Sequence, residues 1–225
     1  NYDFSIVLTL MLCLYGIIGT FVSERETQMD MLLLVSPNGG RKTALAKILA
    51  ATLFLLLTSL WFSLLDLIGF AASFQTLEGL ALPVFAIPNF AEASVNLSIF
   101  QYVLLSAALK CAGTWVIGML WLLVSMFWKN ALLPFVIDFA LCMALTVSGA
   151  ACAYSNFFWT KVLNPYSLLT NRVLLGKTEF VNLGGFPVLT WQAAVWISLT
   201  AGLVFAAMIY YLSAENCHRY IRRTK

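Results

Sequence analysis

"SPNGGRKTALAKILAATLFLLLTSLWFSLLDLIGFAA", Ser36 to Ala72, begins as though it closed a phosphate-binding loop and continues as a long apolar run. The two halves point to different folds. A nucleotide loop of the form G-x-x-x-x-G-K-[ST] closes glycine backbone N–H groups around phosphates while its lysine reaches the β and γ oxygens, and it follows a buried strand of a soluble α/β domain. Here Arg41 stands directly before Lys42 and Ser36 stands six positions before it, so both required glycines are missing. The run from Ala44 to Ala72 is long and apolar enough to cross a bilayer as a helix. The Gly-Arg-Lys-Thr string therefore reads as a turn and a basic anchor at a membrane surface, and nucleotide binding by this chain is set aside.

Composition supports the membrane reading. Hydrophobic residues make up 61% of the 225-residue chain and charged residues 10%, far from the balance of a soluble domain. The apolar runs are too continuous for barrel strands, which alternate about every second residue. The sequence predicts an all-α, polytopic helical membrane protein in a single transmembrane domain, with spans at about Phe4–Val22, Ala44–Ala72, Ile99–Trp128, Ala131–Tyr154 and Trp191–Leu212. The first span has no basic region before it and the chain opens with Asn, so it reads as an internal span rather than a signal peptide. A preceding span in a longer protein would bring the total to six.

Lysine and arginine set the expected orientation. Arg25, Arg41, Lys42, Lys47, Lys129, Arg219, Arg222, Arg223 and Lys225 fall in or beside the segments 23–43, 129–130 and 213–225. The opposite side has Lys161, Arg172 and Lys177 in its last loop and none in the loop 73–98. The excess assigns the first set, and the C-terminus, to the cytoplasm.

Other chemistries find little support. Cys13, Cys111, Cys142, Cys152 and Cys217 show no paired spacing, which argues against a disulfide framework. The one histidine, His218, has no cysteine or acidic cluster around it, so neither a structural metal site nor a membrane metallohydrolase is expected. Asn96-Leu97-Ser98 is a glycosylation sequon by form alone. The net charge of +3 follows topology rather than forming a groove, which disfavours nucleic-acid binding.

The segment between the first two spans, "SERETQMDMLLLVSPNGGRKTALAKILAA", is the most informative. As a helix from Glu24 to Val35 it places Arg25, Met29, Leu32, Leu33 and Ser36 near one face. Glu24, Glu26, Thr27 and Asp30 dominate its first turns, where acidic groups suit the helix dipole. Pro37 and the Asn38-Gly39-Gly40 turn would stop it. Read from the residues alone, such a helix could also simply lie on lipid.

The same segment resembles the membrane subunit of ABC-2 type transporters. Glu24 or Glu26, Thr27, Asp30, Leu32-Leu33-Leu34, Ser36-Pro37, Arg41 and Lys47 follow a pattern similar to "E…GT.ELLL.TP.SR…..K" in that family, with Glu26 where the family carries glycine and a spacing from Thr27 to Pro37 about two residues longer. The resemblance implies an ABC-2 type transmembrane domain in a cell's inner membrane. It implies that the segment Glu24–Pro37 is a coupling helix against a separate ATPase subunit, with Glu24, Arg25, Glu26, Met29, Leu32, Leu33 and Ser36 on the contact surface. The turn at Trp128 and Lys129 would be a second contact. ATP and magnesium would then be bound by the partner, with no cofactor in this chain, and the assembly would join two membrane subunits, alike or different, to two ATPase subunits.

Three ionisable residues fall within the spans: Asp66, Lys110 and Asp138. Such residues face protein or water and usually have a partner. Counting from the helix midpoints puts Asp66 about 12 Å outward, Lys110 about 4 to 5 Å outward and Asp138 about 6 Å inward. An Asp66–Lys110 pair locking two helices is the first reading; a place on a substrate pathway and a proton relay are the others. The segment 155–190 mixes aromatic and leucine residues with Asn164-Pro165 and Gly184-Gly185. It is expected to form an extracytoplasmic cap of short helices dipping back toward the membrane, as in the resembling family, or else an interfacial aromatic belt. The loop 73–98 would add a smaller part.

The function implied by the resemblance is an ATP-driven exporter's permease subunit, without an ATPase site of its own. The alternatives are an ion-coupled secondary transporter or channel-like protein using Asp66, Lys110 and Asp138, and a structural or sensory membrane partner. The sequence does not name a substrate.

Overall fold

The computed structural model describes residues 2–29, 40–74, 78–86, 97–154, 158–183 and 185–224. Its long elements are α1 (Tyr2–Glu26), α2 (Arg41–Phe74), α3 (Ile99–Ser125), α4 (Leu132–Tyr154) and α8 (Thr190–Thr224). Five helices are long and apolar enough to cross a membrane. The chain is an all-α, polytopic membrane protein, and its β-structure among the described residues is one hairpin and an isolated bridge between Pro83 and Ser98.

Several boundaries differ from the sequence reading. The expected span end at Val22 is no helix end: α1 runs on to Glu26, and the backbone turns at Thr27–Gln28, with Gln28 at φ 57°. Glu24, Arg25 and Glu26 thus form the last turn of a span and not the first turn of a separate helix, so the favourable-dipole argument for the two glutamates is reversed. From Asp30 on, the expected coupling helix lies outside the described residues, including Leu32, Leu33 and Ser36. α2 starts at Arg41 rather than Ala44 because Gly40, at φ 79°, makes the turn and accepts the Ala44 N–H at 3.0 Å. α3 stops at Ser125 rather than Trp128, and α8 continues through the expected tail to Thr224.

α3 is the hub, packed against α1, α2, α8 and a short cap helix. Its apolar window and that of α1 are each 56% buried, against 22% for α2, 17% for α4 and 28% for α8, so the last three turn most of their surface outward. Along α1, Ile6, Leu10, Leu14, Ile17 and Phe21 recur every three or four residues and form a buried seam. Gly118 lets three helices meet, since a Cβ there would run into Leu55 of α2 and Ile17 of α1. Polar contacts fix the α2–α3 register: Ser59 donates to Cys111 Sγ at 3.1 Å, and the Trp115 indole donates to Thr52 at 3.2 Å. Cys13, Cys111 and Cys142 are buried free thiols.

The segment between α4 and α8 folds into α5 (Phe158–Leu163), α6 (Tyr166–Thr170), α7 (Arg172–Leu175) and the antiparallel strands β1 (Phe180–Leu183) and β2 (Phe186–Leu189). α6 presses on α3 at Gly113, whose missing side chain leaves room for Leu168, Leu169 and the Pro165 carbonyl. Gly113 lies 14 residues from the start of α3, roughly 21 Å along it, so this short helix reaches mid-span depth. Irregular backbone at that depth must be satisfied by protein. Asn164 donates to the Leu145 carbonyl at 3.1 Å and to Ser148 at 2.9 Å while its own oxygen accepts the Tyr166 N–H at 3.0 Å. Asn171, at φ 55°, ends α6 and donates to Ser106 Oγ at 2.6 Å. The loop 73–98 contributes two short 3-10 turns, Glu78–Ala81 and Val84–Ala86, tied back at the start of α3 by the Ile99 N–H to the Leu82 carbonyl at 2.8 Å.

Candidate functional site

Two clusters gather several of the polar residues singled out by the sequence. The first is at the basic end of the bundle, where α1 ends, α2 begins and the turn 126–131 joins α3 to α4. Helix termini expose carbonyls at one end and N–H groups at the other, and two neighbouring side chains of α1 answer both. Arg25 Nη1 donates to the Trp128 carbonyl at 2.8 Å, just past the end of α3, and Glu26 Oε1 accepts the Ala131 N–H at 2.9 Å, just before α4. At the start of α4 the Glu26 carboxylate meets the positive end of a dipole, which offsets its unfavourable place at the end of its own helix. Glu24 pairs with Lys47 of α2, and the Lys47 ammonium lies 4.0 Å from the centre of the Phe21 ring. Ser213 of α8 donates to the Gly40 carbonyl at 3.3 Å. All five long helices are therefore tied at this end.

Beside these bonds the surface is apolar. Met29 is 53% exposed, Phe127 63% and Leu132 72%, with Lys129 also exposed and Trp128 half-buried. The structure thus brings Arg25 and Glu26 to Trp128, leaves Met29 and Lys129 outward, and says nothing of Leu32, Leu33 or Ser36. Sequence reasoning missed Phe127 and Leu132, which read as span residues. Glu24, Arg25 and Glu26, which the resemblance places on a partner-facing surface, are also each engaged within the chain.

The second cluster lies within the spans toward the cap end. Lys110 of α3 is fully buried and contacts Asp66 Oδ2 of α2 at 3.0 Å. Ser5 of α1 completes the group: Lys110 donates to Ser5 Oγ at 3.0 Å, and Ser5 donates to Asp66 Oδ2 at 2.8 Å. Three helices are joined by one ammonium, one carboxylate and one hydroxyl. Ser5 was not foreseen, because a serine near the start of a span carries no signal of its own. With the Lys110 amine and the Asp66 carboxyl each occupied by the other and by Ser5, the cluster suits a lock between helices. Asp138 is not part of it. That residue lies in α4, fully buried, and its carboxyl has no hydrogen-bond partner among the described residues.

Toward the cap, Lys161 of α5 pairs with Glu179 at 2.9 Å, and the Glu179 carbonyl accepts from Thr190 Oγ1 at the start of α8 at 2.7 Å. Among the described residues no group of three His, Cys, Asp or Glu side chains could hold a metal. No family model, no curated protein and no solved structure matches the chain.

Proposed function

We propose that this chain is the membrane-spanning permease subunit of an ABC-2 type exporter and that it transmits ATP hydrolysis on a separate subunit to its own helices. The observation that carries the reading is the joining of the α1 end and the 126–131 turn by Arg25 and Glu26. The two segments that the family resemblance assigns to ATPase contact form one body, and Met29 and Phe127 stand exposed beside it. A push on either segment would be delivered to α1, α3 and α4 together. In this reading the basic end faces the cytoplasm of a cell's inner membrane. Two such subunits, identical or different, work with two ATPase subunits that bind ATP and magnesium, and the broad outward faces of α2, α4 and α8 meet lipid or the second permease.

The test is co-purification from the native membrane, comparing wild type with a Met29→Asp/Phe127→Asp variant that still inserts. Recovery of an ATPase with wild type and its loss with the variant supports the reading. If no ATPase comes with wild type under conditions that keep other membrane complexes intact, the permease reading fails and ion-coupled transport becomes the better account.

A further inference from the structure

Short hydroxyl side chains exposed along the spans return their O–H to their own helix. Thr146 and Ser148 of α4 donate to the carbonyls of Met143 and Leu145 at 2.8 and 3.0 Å, and Thr200 of α8 donates to that of Ile197 at 2.9 Å. Tyr15 of α1 cannot do this, because its rigid ring holds the hydroxyl away from the helix backbone. The residue is 80% exposed, and its hydroxyl has no hydrogen-bond partner among the described residues. It stands at the midpoint of the span Phe4–Glu26, 11 residues and about 16 Å from either end. That depth is the middle of the hydrocarbon, beyond the reach of a side chain shorter than half the distance. The exposed Trp196 and Tyr211 of α8 instead stand six and three residues from the ends of their span, where aromatic belts form.

Tyr15 belongs to a stripe. Leu8, Leu12, Tyr15 and Gly19, spaced four, three and four residues, are exposed along the outward side of α1, the spacing of a seam between two helices. At Gly19 a Cβ would meet nothing within 4 Å, so one turn from the tyrosine the backbone is open to close approach. An apolar stripe alone would be at home in lipid. A hydroxyl at the midplane is not, because hydrocarbon offers it no acceptor, and whatever covers Tyr15 must bring one to the same depth. A second copy of the chain does so by symmetry. Paired about a two-fold axis along the membrane normal, two α1 helices set each Tyr15 at the depth of the other, and a hydroxyl both donates and accepts. The missing side chain at each Gly19 leaves room for the helices to close.

We infer that the outward stripe of α1, centred on Tyr15 and Gly19, is the contact through which two copies of this chain pair in the membrane. The inference goes beyond the transport reading, which allows identical or different subunits, and its test needs no ATPase.

The experiment is Förster transfer between full chains carrying a donor or an acceptor dye at the C-terminus, reconstituted together in phosphatidylcholine vesicles over a range of protein-to-lipid ratios. Wild type should show saturable transfer that unlabelled wild type competes away. Tyr15→Phe, which removes only the hydroxyl, should weaken pairing about 3- to 30-fold, the range of interhelical hydrogen bonds in membranes. Gly19→Leu, whose Cβ meets nothing within the chain, should keep the fold and abolish pairing. Leu203→Phe, on the exposed face of α8, should change nothing. Wild type that stays monomeric, as it would were lipid or a different membrane protein to cover Tyr15, overturns the contact, and so does unchanged pairing in either α1 variant. If Gly19→Leu does not fold, Tyr15→Phe decides. Pairing without a co-purifying ATPase keeps the contact and removes the permease reading, whereas an ATPase recovered with a monomeric chain removes only the contact.

Discussion

Asp66 and Asp138 both lie inside membrane-spanning helices, and the bundle treats them in opposite ways. Asp66 is partly exposed and accepts from both Lys110 and Ser5, so its charge is balanced inside a three-helix knot. Asp138 is wholly buried and has neither cation nor hydroxyl beside it among the described residues. The difference teaches what each position is for. A satisfied pair ties α1, α2 and α3 to one another, while the carboxyl on the least buried helix gains no such partner among the described residues.

The largest expected effect tests the first half of this contrast. Asp66→Ala would leave the Lys110 ammonium buried without its counter-charge and should destabilise the bundle by about 3–5 kcal/mol. Thermal unfolding in detergent measures it, and a loss below about 1 kcal/mol, the scale of an exposed pair, would show that the knot is not structural. Asp138→Val should have the other sign. Replacing a lone buried polar group with an apolar one should leave stability unchanged or raise it by about 1–2 kcal/mol. A clear loss of stability in that variant would mean that Asp138 is a hidden structural partner, and the contrast would collapse.

Two smaller changes sharpen the comparison with neutral and with solvent-facing contacts. Asn171 is a paired polar residue without charge, held at φ 55° and bonded to Ser106. Asn171→Ala should cost about 1–2 kcal/mol, from the left-handed backbone and the lost bond together. Asn171→Gly should recover the backbone share, and equal melting temperatures for the two variants would refute that division. Arg25→Ala removes a bond at the half-exposed basic end and should shift stability by only about 0.5–1 kcal/mol. Its larger consequence should be seen in proteolysis of the 126–131 turn, which becomes faster once α1 no longer holds it. Unchanged cleavage would show that the α1 contact does not restrain the turn.

What could be read in the sequence follows the range of the forces involved. The five spans were legible because each is a long apolar run whose backbone must bond to itself in lipid. Their ends were less legible, since helices continue past the hydrocarbon: α1 reaches Glu26 and α8 reaches Thr224 with no apolar residue required. Depth counting placed Asp66 nearer to Lys110 than Asp138, and the two meet at 3.0 Å. The binding of Arg25 and Glu26 to a turn more than 100 residues away has no local signature. The hairpin of β1 and β2 did have one, in Gly184-Gly185 between Phe180–Leu183 and Phe186–Leu189, which the aromatic content of the segment obscured.

The most direct test of the permease account is photo-crosslinking in the native membrane, with benzoylphenylalanine replacing Phe127 at the basic end and, separately, the exposed Phe186 of the hairpin. The account predicts an adduct from position 127, and none from position 186, whose partner peptides come from a protein with an intact G-x-x-x-x-G-K-[ST] loop. An adduct to such a protein from position 186, or none from position 127 in a folded, membrane-inserted chain, would contradict it.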